Sequence, residues 1–234
     1  MRVSFNQPAF IPWGGFFGRL LNSDLMILLD KTQFARGFTF VNRNRLKGPL
    51  GEIWVTVPIK KKGLGLQKIN QLQIHQSEIL ARRFLAILRH YYSNSLYLKP
   101  AYNKLVSLFT EAGDDFLKLA EGSIDLLAKI FGLKTPVKFQ PEAEMELQGT
   151  DLLVNLALGV GAREVLLPYL ADRHLNIATF SKAGLKVVFL KYHQNPYPQF
   201  WGNFLGNLSA LDLWLCCGPE GIRVIEKSSK LITA

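Results

Sequence analysis

The stretch RVSFNQPAFIPWGGFFGRLLNSDLMILLD, residues 2–30, places a strand, a proline- and glycine-rich loop, a short helix and a second strand within one small unit. Val3 to Phe5 is apolar and β-branched enough for a buried strand. Gln7-Pro8 ends it, because Pro8 has no amide donor and forces Gln7 to be extended. Pro12, Gly14 and Gly15 then predict a turn, after which Phe16, Phe17, Leu20 and Leu21 recur at helical spacing. Leu25 to Leu29 is a second buried strand, closed by Asp30. A strand, helix and strand of this length form a βαβ unit, which sets the loop from Gln7 to Gly15 beside Asp30 at the carboxyl edge of a parallel sheet. Ligands of open α/β sheets bind at that edge.

Downstream, Phe38 to Leu46 alternates and Glu52 to Ile59 is strongly strand-forming. Lys47 to Gly51 supplies a turn between them, so the pair reads as a β-hairpin. Helical patterns follow at Gln76–Tyr92, Pro100–Ala112 and Asp115–Phe131, the last closed by Gly132. Strand signals return at Val137–Gln140, Glu164–Leu167 and Leu185–Tyr192, interleaved with helices at Asp151–Leu158 and Ile177–Ala183. Asn207 to Gly218 reads as a buried helix. The order predicts an α/β fold: a Rossmann-like, mostly parallel sheet flanked by helices, with a β-hairpin and a helical insertion over about 76–132. With no flexible linker in view, residues 1–234 are expected to form a single domain.

Several classes are disfavoured. No apolar run reaches the roughly 18 to 20 residues that span a bilayer, and the first residues start a strand, so the chain reads as cytoplasmic. Lys and Arg exceed Asp and Glu by 28 to 18, a net charge of +10. This suits phosphorylated small molecules, nucleic acid or an anionic membrane, but no nucleic-acid module or basic tail accompanies it. Lys60-Lys61-Lys62 is expected in an exposed loop, either as a solvated charge run or in weak contact with an anionic membrane surface. Cys216 and Cys217 are adjacent in an apolar run and read as inert thiols. The four histidines lack ligand spacing, and no Walker loop, dinucleotide fingerprint or Asp-x-Asp pair occurs; neither a metal nor a cofactor is expected.

Four segments supply candidate site residues. Gln7 can hydrogen-bond a sugar or base, and Asp30 can bind a hydroxyl or act as a base; turn capping is the bland alternative for both. In Asn42-Arg43-Asn44-Arg45 the alternation puts the arginines on one strand face, able to grip a diphosphate. The asparagines on the other face can read hydroxyls or staple a loop. Asp172-Arg173-His174 can place an acid, a cation and an imidazole together, with an ordinary polar loop as the bland alternative. His193 leads into a polar, aromatic loop at the same edge as Gln7.

Gln7-Pro8-x-x-x-Pro12-Trp13-x-Gly15-Phe16-Phe17, Ser23-Asp24 to Leu29-Asp30, Gln33-Phe34, Asn42-Arg43-Asn44-Arg45 and Trp54-x-Thr56-Val57-Pro58 together resemble the WbqC-like family. The likeness continues in Pro196-Tyr197-x-Gln199, Phe204, Asn207 to Leu213 and Cys217-Gly218-Pro219, and so spans nearly the whole chain. It implies a role in bacterial O-antigen or other surface-polysaccharide biosynthesis without naming a reaction. Pro141-Glu142-Ala143-Glu144 and Val165-Leu166-Leu167-Pro168 stand where that family carries hydroxyl- and glycine-bearing stretches. A looser likeness links the first βαβ unit to nucleotidylyltransferases, but Pro12 to Phe17 lacks their histidines. The expectation is a transferase-type enzyme acting on a nucleotide-activated or phosphorylated sugar. The loop with Trp13, Gly14 and Gly15, together with Arg43 and Arg45, binds phosphates. Gln7, Asn42, Asn44, His193, Tyr197 and Gln199 contribute further contacts, and Asp30 or His174 handles a proton. The alternative is a non-enzymatic, membrane-peripheral or partner-binding adaptor of the same pathway.

Overall fold

The computed structural model describes residues 1–35, 37, 39–142 and 147–233. Phe38, Ala143 and Glu144, which the sequence reading used, lie outside the described residues. Six strands form one sheet in the order β5-β2-β1-β6-β7-β8: β1 (Arg2–Asn6), β2 (Leu25–Leu28), β5 (Val137–Phe139), β6 (Glu164–Pro168), β7 (Lys186–Tyr192) and β8 (Ser229–Thr233). The first five run parallel, and β8 is an antiparallel edge. A separate hairpin pairs β3 (Arg43–Gly48) with β4 (Gly51–Thr56). The expected α/β architecture is therefore present, with the hairpin outside the main sheet.

Both faces of this sheet are covered, which is why β2 and most of β6 read as apolar runs. Val3, Phe5, Leu25, Ile27, Val165 and Leu167 pack with α5 (Gly149–Gly159) and α6 (Ile177–Lys182) on one side. Met26 and Leu28 face the other side, where α1 (Gly14–Leu21), the hairpin, α7 (Ala210–Cys217) and α8 (Gly221–Ser228) share one large cluster. The same cluster contains α2 (Ser77–Tyr91), α3 (Leu98–Ala112) and α4 (Phe116–Ile130), so the inserted helices build directly onto the layer that holds α1. Among the described residues, no helix is long and apolar enough to cross a membrane.

Differences from the sequence reading have local causes. The hairpin starts at Arg43, later than the alternation suggests; just before it, the Asn42 side chain donates through Nδ2 to the Val57 carbonyl at 2.8 Å. Helix α8 and strand β8 were not anticipated. Helix α8 is short and carries Arg223, Glu226 and Lys227, and β8 opens with Ser229-Lys230 and is partly exposed at the sheet edge. Helix α4 begins where expected because the Asp115 carboxylate accepts from the Lys118 amide at 3.1 Å. Replacing that cap, Asp115→Ala, is expected to lower unfolding free energy by about 1 kcal/mol, read from urea denaturation with an unchanged m-value.

Candidate active site at the switch point of the sheet

From β1 the chain moves outward through α1 to β2 and later to β5; it then crosses back and builds β6 and β7 on the other side of β1. The connections therefore diverge between β1 and β6. Beyond the carboxyl ends of this pair lies a cavity of about 510 Å³, a volume suited to a sugar or nucleoside. Asn6 and Gln7 enter it from β1, Leu167 and Pro168 from β6, and Gly149 and Leu152 from α5. Pro12, Trp13 and Phe16 form its wall on the α1 side; Phe40 and Asn44 reach it from the segment before β3 and from β3 itself.

That wall is held by an unusual backbone. Ile11 is buried with φ at +40°, a conformation a β-branched residue adopts only under constraint. Three elements far apart in the chain supply the constraint. The Ile11 amide donates to Ser123 Oγ on α4 at 2.9 Å, and its carbonyl accepts from Asn44 Nδ2 on β3 and from Ser209 Oγ at the start of α7, both at 2.7 Å. The Ala210 amide adds a bond to the Pro12 carbonyl at 2.8 Å. The hairpin and the inserted helices therefore have a local purpose: they fix the loop that presents Trp13.

Behind the other wall lies a charge that the sequence reading missed. Arg19 on α1 is only 8% exposed. Its guanidinium donates to Asn6 Oδ1, while its Nε has no hydrogen-bond partner among the described residues. Burial pushes its pKa down to about 10, with no acid among the described residues opposing the shift, so it remains a cation at neutral pH. Asn6 in turn donates through Nδ2 to the Gln7 carbonyl at 2.7 Å. An unneutralised guanidinium therefore sits one hydrogen bond behind a side chain that lines the cavity. The helical spacing contained a signal: Arg19 follows Phe16 by three residues and so falls on the buried stripe.

Of the residues singled out in sequence, Gln7, Trp13, Asn44 and His174 line this cavity. Gln7 Nε2 donates to Thr32 Oγ1 at 3.0 Å, Trp13 packs edge-on against Tyr192 at 5.1 Å, and His174 is exposed at the rim. Gly14 and Gly15 are buried at the start of α1, and a side chain at Gly14 would collide with the Tyr192 hydroxyl; close packing is their evident requirement. Asn42 and Asn44 staple loops through Val57 and Ile11. Arg43 and Arg45 share the opposite face of the hairpin, away from the cavity wall. Arg45 is occupied there by Glu52 at 2.8 Å, the Asn207 carbonyl at 2.9 Å and the Trp54 ring at 5.6 Å. Asp30 is buried after β2, where its carboxylate accepts from the Gln140 amide at 3.2 Å and burial raises its pKa. His193 is exposed after β7, its backbone amide bonded to the Ser228 carbonyl.

Tyr197 and Gln199 belong to a different assembly, centred on buried Asp212. Its carboxylate accepts from the Tyr92 hydroxyl at 2.5 Å and the Tyr197 hydroxyl at 2.6 Å. Gln199 Oε1 accepts from buried Lys47 at 2.9 Å, and Lys47 also donates to the Asn203 carbonyl at 2.5 Å. Burial raises Asp212 above the usual carboxylate range, opposed by these hydroxyls and by Lys47. The network joins α2, the hairpin, α7 and the 193–207 segment beneath the surface. Cys216 and Cys217 adjoin it as free thiols raised by burial, in keeping with inert packing. Among the described residues, no group of three His, Cys, Asp or Glu side chains could hold a metal ion.

A family model described as the WbqC-like protein family matches residues 7–224. The chain belongs to that family. It is also 27% identical to an uncharacterized protein of Mycobacterium tuberculosis over 221 residues, covering 94% of this chain and 95% of that one. No solved structure matches it. The WbqC-like segments recognised in sequence sort into two physical groups: those around Ile11 and the cavity, and those around Asp212. Ser209 contributes to the first while starting the helix that carries the second. Ser209→Ala removes a bond to the Ile11 carbonyl and the cap to the Leu211 amide at 3.1 Å. It is expected to cost about 1–2 kcal/mol in urea denaturation and to change Trp13 fluorescence.

Proposed function

We propose that this WbqC-like protein is a transferase-type enzyme of bacterial surface-polysaccharide biosynthesis, and that the switch-point cavity binds its nucleotide-activated or phosphorylated sugar. The observation that carries the reading is Arg19, a buried cation without an acid partner among the described residues, coupled through Asn6 to the cavity wall. Desolvating an unpaired charge is costly, and a bound anion nearby would recover part of that cost. Phosphate is the anion that suits this position at the carboxyl edge of a parallel sheet. The remaining wall fits an activated sugar: Trp13 and Phe16 offer apolar surface for a ring, while Asn6, Gln7 and Asn44 offer amides near hydroxyls.

In the reaction we envisage, His174 at the rim takes the proton from an acceptor hydroxyl. The hydroxyl oxygen bonds to the anomeric carbon as the bond from that carbon to the phosphate oxygen breaks. The phosphate leaves with the electron pair, and its negative charge develops in the field of Arg19. Asp30, already bonded to the Gln140 amide, holds β5 against β2 instead of meeting the sugar.

A thermal-shift panel of nucleotides and nucleotide sugars identifies the ligand, and one variant tests the reading. Arg19→Met removes the unpaired charge while keeping an unbranched apolar stem. The variant is expected to melt at the same temperature as the parent or higher, and to bind the ligand at least about tenfold more weakly, a loss of about 1.4 kcal/mol. Unchanged affinity in a folded Arg19→Met protein would refute the assignment.

A further inference from the structure

A second cavity, of about 410 Å³, adjoins the first. It opens beyond the ends of β2 and β5, and the two share Thr32, Gly149 and Leu152. Its wall differs in kind: Lys31 and Lys68 provide ammonium groups, and Gln33, Gln67, Gln140 and Gln148 provide amides. Among the described residues, no acidic side chain lines it.

Lys31 is the informative member. Its side chain is 6% exposed, yet its ion-pair partner at 2.8 Å, Glu142, is 82% exposed. A carboxylate so open to water compensates a buried ammonium only in part. Helix α5 adds to the positive character, because it starts at Gly149, on the wall common to both cavities, with no side-chain cap from Gln148. The partition is itself polar: Thr32 Oγ1 receives the Gln7 amide and donates to the Leu29 carbonyl at 2.7 Å.

We propose that the second cavity is the acceptor subsite of the cleft, for a hydroxylated sugar that carries a phosphate or comparable anion. The inference rests on the transferase reading above. A transfer needs two substrates side by side, and the two compartments differ as such a pair would require. The first offers aromatic surface for an activated ring; the second offers two lysines for an anion and the side chains of Gln33 and Gln148 for hydroxyls. An acceptor anchored at Lys31 and Lys68 can extend a hydroxyl past Thr32 into the first compartment.

Calorimetric titration tests this with UDP-glucose as the donor probe and glucose 6-phosphate as the acceptor probe. Glucose 6-phosphate is expected to bind with UDP-glucose already saturating. It should bind at least tenfold more weakly to Lys31→Met/Lys68→Met, while UDP-glucose affinity stays within twofold. Lys68→Met alone, at a less buried position, should give part of the loss where the double variant folds poorly. Glu142→Gln should tighten glucose 6-phosphate several-fold by releasing Lys31. Mutual exclusion of the two probes, lysine-independent binding, or no saturable binding of glucose 6-phosphate would each overturn the subsite. Lysine-dependent binding of glucose 6-phosphate without UDP-glucose binding would support the second cavity and count against the donor assignment of the first.

Discussion

Everything about the candidate site depends on how Ile11 is held. A buried β-branched residue at φ +40° costs about 1–3 kcal/mol of backbone strain, and it persists only where its surroundings leave no alternative. Here both its amide and its carbonyl are committed, to Ser123, Asn44 and Ser209. Those partners come from the inserted bundle, the hairpin and the last third of the chain. The loop from Pro8 to Trp13 is therefore a convergence point for elements that the sheet alone would not bring together. Because the loop forms one wall of the cavity, its strain fixes the site's shape, as expected where a site must be ready before its ligand arrives.

Charge follows a similar logic. The net charge of +10 suggests a basic surface, yet Lys47, Arg19 and the Lys31 side chain are buried. Lys47 is satisfied within the Asp212 network through Gln199 and the Asn203 carbonyl. Arg45, which looked suited to a diphosphate, is already bonded to Glu52 and Asn207. Among the described residues, Arg19 has no acid partner and Lys31 has one that is exposed. Both lie behind or beside cavities at the carboxyl edge of the sheet. Fixed charges that the fold leaves uncompensated are where ligand chemistry is most economically sought.

Much of this was legible in the chain. The parallel strands announced themselves as apolar runs because both sheet faces are covered. The helices announced themselves through spacing and through Asp115 and Gly132 at their ends. Gln7 and Trp13 could be placed at the carboxyl edge of the sheet from the βαβ pattern alone. The burial of Arg19 is hinted at by its spacing from Phe16, but its contact with Asn6 appears only once the helix is seated on β1. Lys31 resembles an ordinary turn lysine. The arginine pair of β3 was read correctly as sharing a face, but which face meets the cavity is set by hairpin packing, a long-range property. Strand β8 escaped notice because an exposed edge tolerates lysine and serine without apolar alternation.

The central claim is that an anionic ligand at the switch point answers the unpaired charge of Arg19. It is tested most directly by the nitrogen–proton NMR signal of the Arg19 Nε group, assigned through Arg19→Met, during titration with UDP-glucose and, separately, with uridine. The account predicts a saturable shift with the phosphate-bearing ligand and little or none with uridine. A stationary Arg19 signal while UDP-glucose binds, or equal shifts with both compounds, would contradict it.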